Sequence, residues 1–171
     1  IEHPDGHGHA FPGQVRLIEA DLDHGLPMLH QRFDYILCAD ILEHLRRPEM
    51  LLRQVRDVLE PGGVLMASLP NSGNIWFRLN ILAGRFPQDE KGLFDRTHLH
   101  FYMWDGWLRL FNQAGFRINS VDSTAIPVSL VVPNSWESTA PVRMAERVWY
   151  GLAHIWKTLF AYQFVVRAEV R

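Results

Sequence analysis

Apolar residues along the chain fall into short unbroken runs, separated by segments in which they return every three or four positions. The clearest run is FDYILCAD (33–40), whose centre Tyr35-Ile36-Leu37-Cys38-Ala39 is continuously apolar. A run of that length suits a parallel strand covered on both faces. RRPEMLLRQVRDVLEPGG (46–63) then changes to helical spacing: Pro48 fits a first turn, and Leu51, Leu52, Val55, Val58 and Leu59 share a face. Pro61-Gly62-Gly63 supplies the stop. GVLMASLP (63–70) is apolar and unbroken again. Strand, amphipathic helix and strand with short joints make a βαβ unit, expected to cross over right-handed.

Around this unit the pattern predicts further elements. VRLIEADLD (15–23) reads as a short strand whose polar end carries Asp21 and Asp23. SGNIWFRLNILAGRF (72–86) reads as a helix with Ile75, Leu79 and Leu82 on one face. DGWLRLFNQAGF (105–116) reads as another, N-capped by Asp105, turning Leu108, Phe111 and Ala114 inward and ending at Gly115. PVRMAERVWYGLAHIWK (141–157) spaces Met144, Val148, Leu152 and Ile155 along a helical face. FRINSVDSTAI (116–126) and FAYQFVVRAEV (160–170) read as strands that pair antiparallel. The fold class is α/β. Residues 1–14, rich in Gly, Pro and His without a period, are expected to form a flexible N-terminal segment ahead of one domain over 15–171. His3, His7 and His9 in such a segment do not by their spacing make a metal site.

Composition narrows the function. A net charge of −2 argues against a nucleic-acid binder. The single cysteine, Cys38, rules out an internal disulfide and suits a reducing, cytoplasmic setting. No apolar run approaches the length of a membrane span, and the N-terminus lacks the features of a signal peptide. Ser68 lacks a nucleophile elbow, and Cys38 lies inside an apolar run. The stretch DRTHLHFY (95–102) gathers Asp95, Arg96, His98 and His100. Zinc there needs a third protein ligand beside the two histidines, and none stands nearby at a recognised spacing, so no metal site is expected. Trp76, Phe77, Phe101, Tyr102, Trp104 and Trp107 fit a plain core better than a sugar-binding wall.

The order of FDYILCADILEHL, LRQVRDVLEPGGVLMASLPN and two closing strands resembles the second part of a class I S-adenosylmethionine-dependent methyltransferase. GLFDRTHLHFYMWDGWLRLFNQAGF is similar to a signature of a subgroup found beside glycosyltransferases in bacterial polysaccharide pathways. The resemblance implies a Rossmann-like sheet lacking its first two strands, with an antiparallel C-terminal strand pair. The family's glycine-rich turn and its ribose-binding acid have no counterpart in this sequence, which implies an N-terminally truncated domain. An unpaired sheet edge is then expected, to be covered by another chain or by the absent part. S-adenosylmethionine is the implied cofactor. The implied partner is a small-molecule or saccharide acceptor, methylated on an oxygen, with neither nucleic acid nor membrane span involved. The competing expectation is a truncated, non-catalytic module that binds a partner.

Ligands in open α/β sheets bind beyond the carboxyl ends of the strands. By the resemblance, Asp21 accepts from the adenine amino group, Leu22 offers a backbone N–H, and Asp40 and Ile41 meet the methionine portion. Asp21 otherwise caps its own loop. His44 and His98 are the catalytic candidates, a neutral imidazole being suited to take a proton from a hydroxyl. Glu43, Asn71 and Arg96 are the substrate-binding candidates. Each has a plainer alternative: Glu43 and His44 pairing with Arg46 or Arg47, and Asn71 capping a helix.

Overall fold

The computed structural model describes residues 17–27, 31–125 and 139–171. Its sheet has four strands in the order β1-β2-β4-β3, where β1 is Phe33–Ala39, β2 Leu59–Pro70, β3 Phe116–Thr124 and β4 Gln163–Val170. β1 and β2 are parallel, joined by helix α1 (Pro48–Val58). β4 lies antiparallel to both β2 and β3, as the two closing strands are expected to do. The helices between are α2 (Ile75–Leu82), α3 (Trp104–Gln113), α4 (Ala140–Ile155) and α5 (Lys157–Phe160).

One sheet face holds the core. Ile36 and Cys38 of β1 sit level with Leu65 and Ala67 of β2, which in turn face Ala168 and Val166 of β4. Leu51, Leu52 and Val55 of α1 and Trp107, Leu110 and Phe111 of α3 close over that face. Each large side chain buried there contributes roughly 1.5–3 kcal/mol. Trp107 keeps its polar edge satisfied by donating Nε1–H to the Pro70 carbonyl at 2.9 Å. The opposite face is open at its β1 end: Tyr35 and Leu37 are 71% and 66% exposed. β1 is therefore covered on one face, where the sequence predicts two. Among the described residues its outer edge has no strand partner.

Several predicted elements shift. Residues 17–21 form no strand, and Leu22–His24 is a turn of 3-10 helix capped by Asp21. A short apolar stretch is a strand only when its backbone joins a ladder, and residues 17–21 join none, although the outer edge of β1 is free among the described residues. β2 begins at Leu59, so Pro61-Gly62-Gly63 lies at the start of the strand rather than at the end of α1. In α2 the buried residue is Phe77, while Leu79 and Leu82 are exposed. Phe77 stacks on Phe94 with centroids 4.5 Å apart, and that contact sets the helix's inner face. α3 starts after Met103, which leaves Asp105 in its first turn, favourable to the helix dipole but not its cap. In α4 Val142 and Ala153 are buried, and Met144, Val148 and Ile155 face outward. The segment 1–14 and its histidines lie outside the described residues.

Candidate functional site

Beyond the carboxyl ends of β1 and β2 lies a cleft of about 250 Å³. Asp40, Glu43, His44, Pro70, Asp95, His98, Tyr162 and Gln163 line it together with Lys91, Gly92 and Leu93. Four residues singled out in the sequence thus converge: Asp40, Glu43, His44 and His98.

Asp40 follows β1 with φ +50, a left-handed conformation that aspartate tolerates better than most residues. Its amide donates to Ser68 Oγ at 2.9 Å, and Ser68 Oγ donates back to its carboxylate at 2.8 Å. Gln163 Nε2 donates to the same oxygen, also at 2.8 Å. The residue that ends β1 is thereby tied to both β2 and β4.

The next turn, Leu42–His44, carries Glu43 into the interior, where it is 1% exposed. Its carbonyl accepts from the amides of Leu99 and His100 at 2.8 and 3.2 Å, so the turn is stitched to the DRTHLHFY segment. The carboxylate Oε1 stands 3.9 Å from His98 Nε2, and Oε2 is buried with no hydrogen-bond partner among the described residues. Burial pushes this carboxyl up to about 7, with the nearby charges of Asp40 and Asp95 acting the same way. Arg46, which the sequence offers as a partner for Glu43, instead bonds Asp23 through its amide at 2.8 Å.

Asp95 accepts both the amide and the hydroxyl of Thr97, at 2.8 and 2.6 Å, and these bonds hold its carboxyl below the usual range. The Thr97 hydroxyl proton is committed to that carboxylate, so its oxygen must accept from His44 Nδ1 at 3.0 Å. The Thr97 carbonyl, 3.2 Å from the same nitrogen, also accepts. A neutral His44 ring so bonded carries its proton on Nδ1 and its lone pair on Nε2. His98 packs edge-on to His44 with centroids 4.8 Å apart. Burial and then the neighbouring His44 lower its pKa, which favours the neutral ring. One ligand atom from each of Glu43, His44 and His98 lies within 4.8 Å of the others. Around His98 the fold thus gathers two side chains, Glu43 and His44, that spacing in the sequence does not place beside it. His100 turns away, bonding the Leu45 carbonyl at 2.9 Å and stacking on Tyr102.

The other candidates fall elsewhere. Asp21 and Asp23 line a separate depression of about 170 Å³ with His24, Arg46 and Arg47. Asp21 accepts from the Asp23 amide and lies 3.0 Å from His24 Nδ1. Leu22 and Ile41 are partly buried against the core. Asn71 is wholly buried: its Nδ2 donates to the carbonyl of Ala161 at 2.9 Å and its Oδ1 accepts from the Gly73 amide at 2.9 Å. With its polar atoms spent on backbone, Asn71 is not available to a substrate. It pins the approach to β4 and so helps place Tyr162 and Gln163. Arg96 is exposed and outside the lining. None of the six aromatic residues lines the cleft; Trp107 is fully buried, and Phe77 and Phe101 belong to a satellite cluster. Cys38 is buried and its thiol pushed up to about 11, so it is inert core.

Sequence reasoning missed Tyr162 and Gln163. The signal was indirect: β4, antiparallel beside β2, begins at the end where β2 finishes.

Residues 4–121 match a family model described as a methyltransferase domain. No curated protein matches the chain. Among solved structures it is similar to a SAM-dependent methyltransferase of Thermotoga maritima, with a TM-score of 0.54 at 16% identity over 87% of this chain and 61% of that one. A chain of the Haloferax volcanii complex between the Trm112 methyltransferase activator and a methyltransferase gives 0.53 at 12% identity, over 88% and 59%. An S-adenosylmethionine-dependent methyltransferase of Clostridium acetobutylicum gives 0.53 at 12% identity, over 92% and 65%. At these identities the likeness is one of fold. The chain spans about three fifths of the length of the first two structures.

Proposed function

The chain belongs to the methyltransferase domain family, and on that premise we propose that it transfers the methyl group of S-adenosylmethionine to a hydroxyl of a small-molecule or saccharide acceptor. The observation that carries this reading is the convergence of Asp40, Glu43, His44 and His98 in one cleft beyond the carboxyl ends of parallel β1 and β2.

S-adenosylmethionine, when bound, would supply the methyl group to the acceptor oxygen and depart as neutral S-adenosylhomocysteine. The hydroxyl proton goes to a base. His44, with its lone pair on Nε2, is suited to take it, and His98 beside it is held neutral. Because the leaving group is good, in-line positioning supplies much of the rate. Asp40 and Ile41 would meet the methionine portion. Asp21 would accept from the adenine amino group, sharing its exposed carboxylate with His24, and Leu22 would offer its N–H to the ring. Arg96, exposed beside the histidine segment, would orient the acceptor.

A glycine-rich turn for the cofactor's carboxypropyl and ribose groups is not found among the described residues. The unpaired edge of β1, with Tyr35 and Leu37 exposed, is where a cofactor-binding half would add its strands. The reading includes a cytoplasmic reaction, in keeping with one unpaired cysteine.

The test is transfer of a labelled methyl group from S-adenosylmethionine by the full-length protein to a panel of hydroxylated acceptors, saccharides included. Label on an acceptor oxygen, with weaker cofactor binding in Asp21→Ala, supports the reading. Label found only on nitrogen acceptors, or no cofactor binding, overturns it.

A further inference from the structure

We propose that Glu43, His44 and His98 form a divalent-cation site, suited to Zn²⁺, Mn²⁺ or Co²⁺, whose open position takes an oxygen of the acceptor. The cation site stands on geometry alone; giving its open position to the acceptor rests on the methyl-transfer reading above.

Three observations carry the site. The first is proximity: one ligand atom from each residue lies within 4.8 Å of the others, and Glu43 Oε1 is 3.9 Å from His98 Nε2. Ligands on a tetrahedral ion are about 3.4 Å apart, so small side-chain rotations close the set. The second is an unanswered charge. Glu43 is 1% exposed and its Oε2 has no hydrogen-bond partner among the described residues, an arrangement that costs free energy until a cation or proton arrives. The cleft lining adds the carboxylates of Asp40 and Asp95, against the single ammonium of Lys91. The third is the outer shell. Thr97 holds the His44 proton on Nδ1 and leaves Nε2 as the donor, and Thr97 is itself fixed by Asp95. Ligating histidines are oriented in this way in metal sites.

One carboxylate and two imidazoles are a borderline donor set, better matched to first-row transition ions and zinc than to calcium or magnesium. Three protein ligands leave at least one position for water or an oxygen ligand. With the ion bound, the His44 lone pair is a ligand and no longer the base; an acceptor hydroxyl in the open position would lose its proton more easily, to solvent, and would be held in place before attack.

The experiment titrates full-length, metal-free protein with Co²⁺ and follows its visible absorption. Expected is one saturable equivalent, displaced by Zn²⁺, that persists when His3, His7 and His9 are all replaced by alanine. His98→Ala abolishes the signal. Thr97→Val changes an exposed residue outside the core, which keeps the fold intact, and weakens Co²⁺ about tenfold or more. No saturable binding, or binding that survives both His98→Ala and Thr97→Val, overturns the site. Methyl transfer that proceeds unchanged in chelator, by protein that does bind Co²⁺ at His98, overturns the acceptor role of the ion and leaves the methyltransferase reading intact.

Discussion

Glu43 Oε1 and His98 Nε2 face each other across 3.9 Å inside the protein, too far for a hydrogen bond and close enough to bind one group together. Two residues far apart in sequence meet because the amides of Leu99 and His100 both bond the Glu43 carbonyl. The segment after β1 and the histidine segment are thus one structural unit.

The burial of Glu43 predicts a pH-dependent stability. Its carboxyl is raised from 4.5 to about 7, so the folded state holds a proton that the unfolded chain releases. The contribution is fully present below the unfolded value and is lost as pH rises through about 7. It amounts to roughly 3 kcal/mol at one pKa unit per 1.36 kcal/mol. His98 runs the other way: its lowered pKa contributes stability above its ordinary value and loses it as pH falls. Urea denaturation in chelator at pH 5 and pH 8 compares wild type with Glu43→Gln, His98 being present in both. The variant should gain on wild type between the two pH values. Parallel profiles would show that the Glu43 carboxyl is not buried as described.

Asn71→Ala should damage the fold rather than the chemistry. The side chain answers the Ala161 carbonyl and the Gly73 amide from a site with no exposure. Removing it strands the Gly73 amide and leaves the Ala161 carbonyl to Asn74 Nδ2 alone, at a cost of about 1–3 kcal/mol. Chemical denaturation measures that loss. Unchanged stability with a raised KM for the acceptor would return Asn71 to the substrate site.

His98→Ala should cut kcat about 100-fold or more while S-adenosylmethionine affinity stays within about twofold, since general-base or metal-ligand roles act on the acceptor side. Equilibrium cofactor binding and steady-state rates separate the two effects. An equal loss in both would mark His98 as a support for the fold.

How much of this was legible in the sequence depends on what each element needed from elsewhere. β1, α1 and β2 announce themselves because periodicity, Pro48 and the unbroken runs agree locally. The antiparallel pairing of β3 and β4 was legible for the same reason. Of the strand expected over 15–23, the described residues 17–23 form none, because a strand exists only with a partner and no pattern within the segment supplies one. α4 shows a helical stripe at Met144, Val148 and Ile155, yet its buried residues are Val142 and Ala153. Period says that a face exists, not which neighbour covers it. His44, Glu43 and Asp40 could be found at a strand end by rule. Their meeting with His98 could not, because it depends on backbone bonds between segments remote in sequence. Asn71 had the right address at the end of β2 but points into the connection before β4 instead of the cleft.

Gly92 is held at φ +90 beneath Tyr162, and a Cβ built on it would lie 2.7 Å from the tyrosine hydroxyl. Gly92→Ala therefore carries two penalties, the left-handed backbone and the collision, together about 1–3 kcal/mol. They are separable. Tyr162→Phe removes the colliding oxygen but leaves the backbone strain. In the double variant the loss should shrink to the conformational part, about 1 kcal/mol. Thermal unfolding of the four proteins gives the coupling energy directly. Additive losses would mean that Gly92 does not press on Tyr162, and that this wall of the cleft is set by something other than their contact.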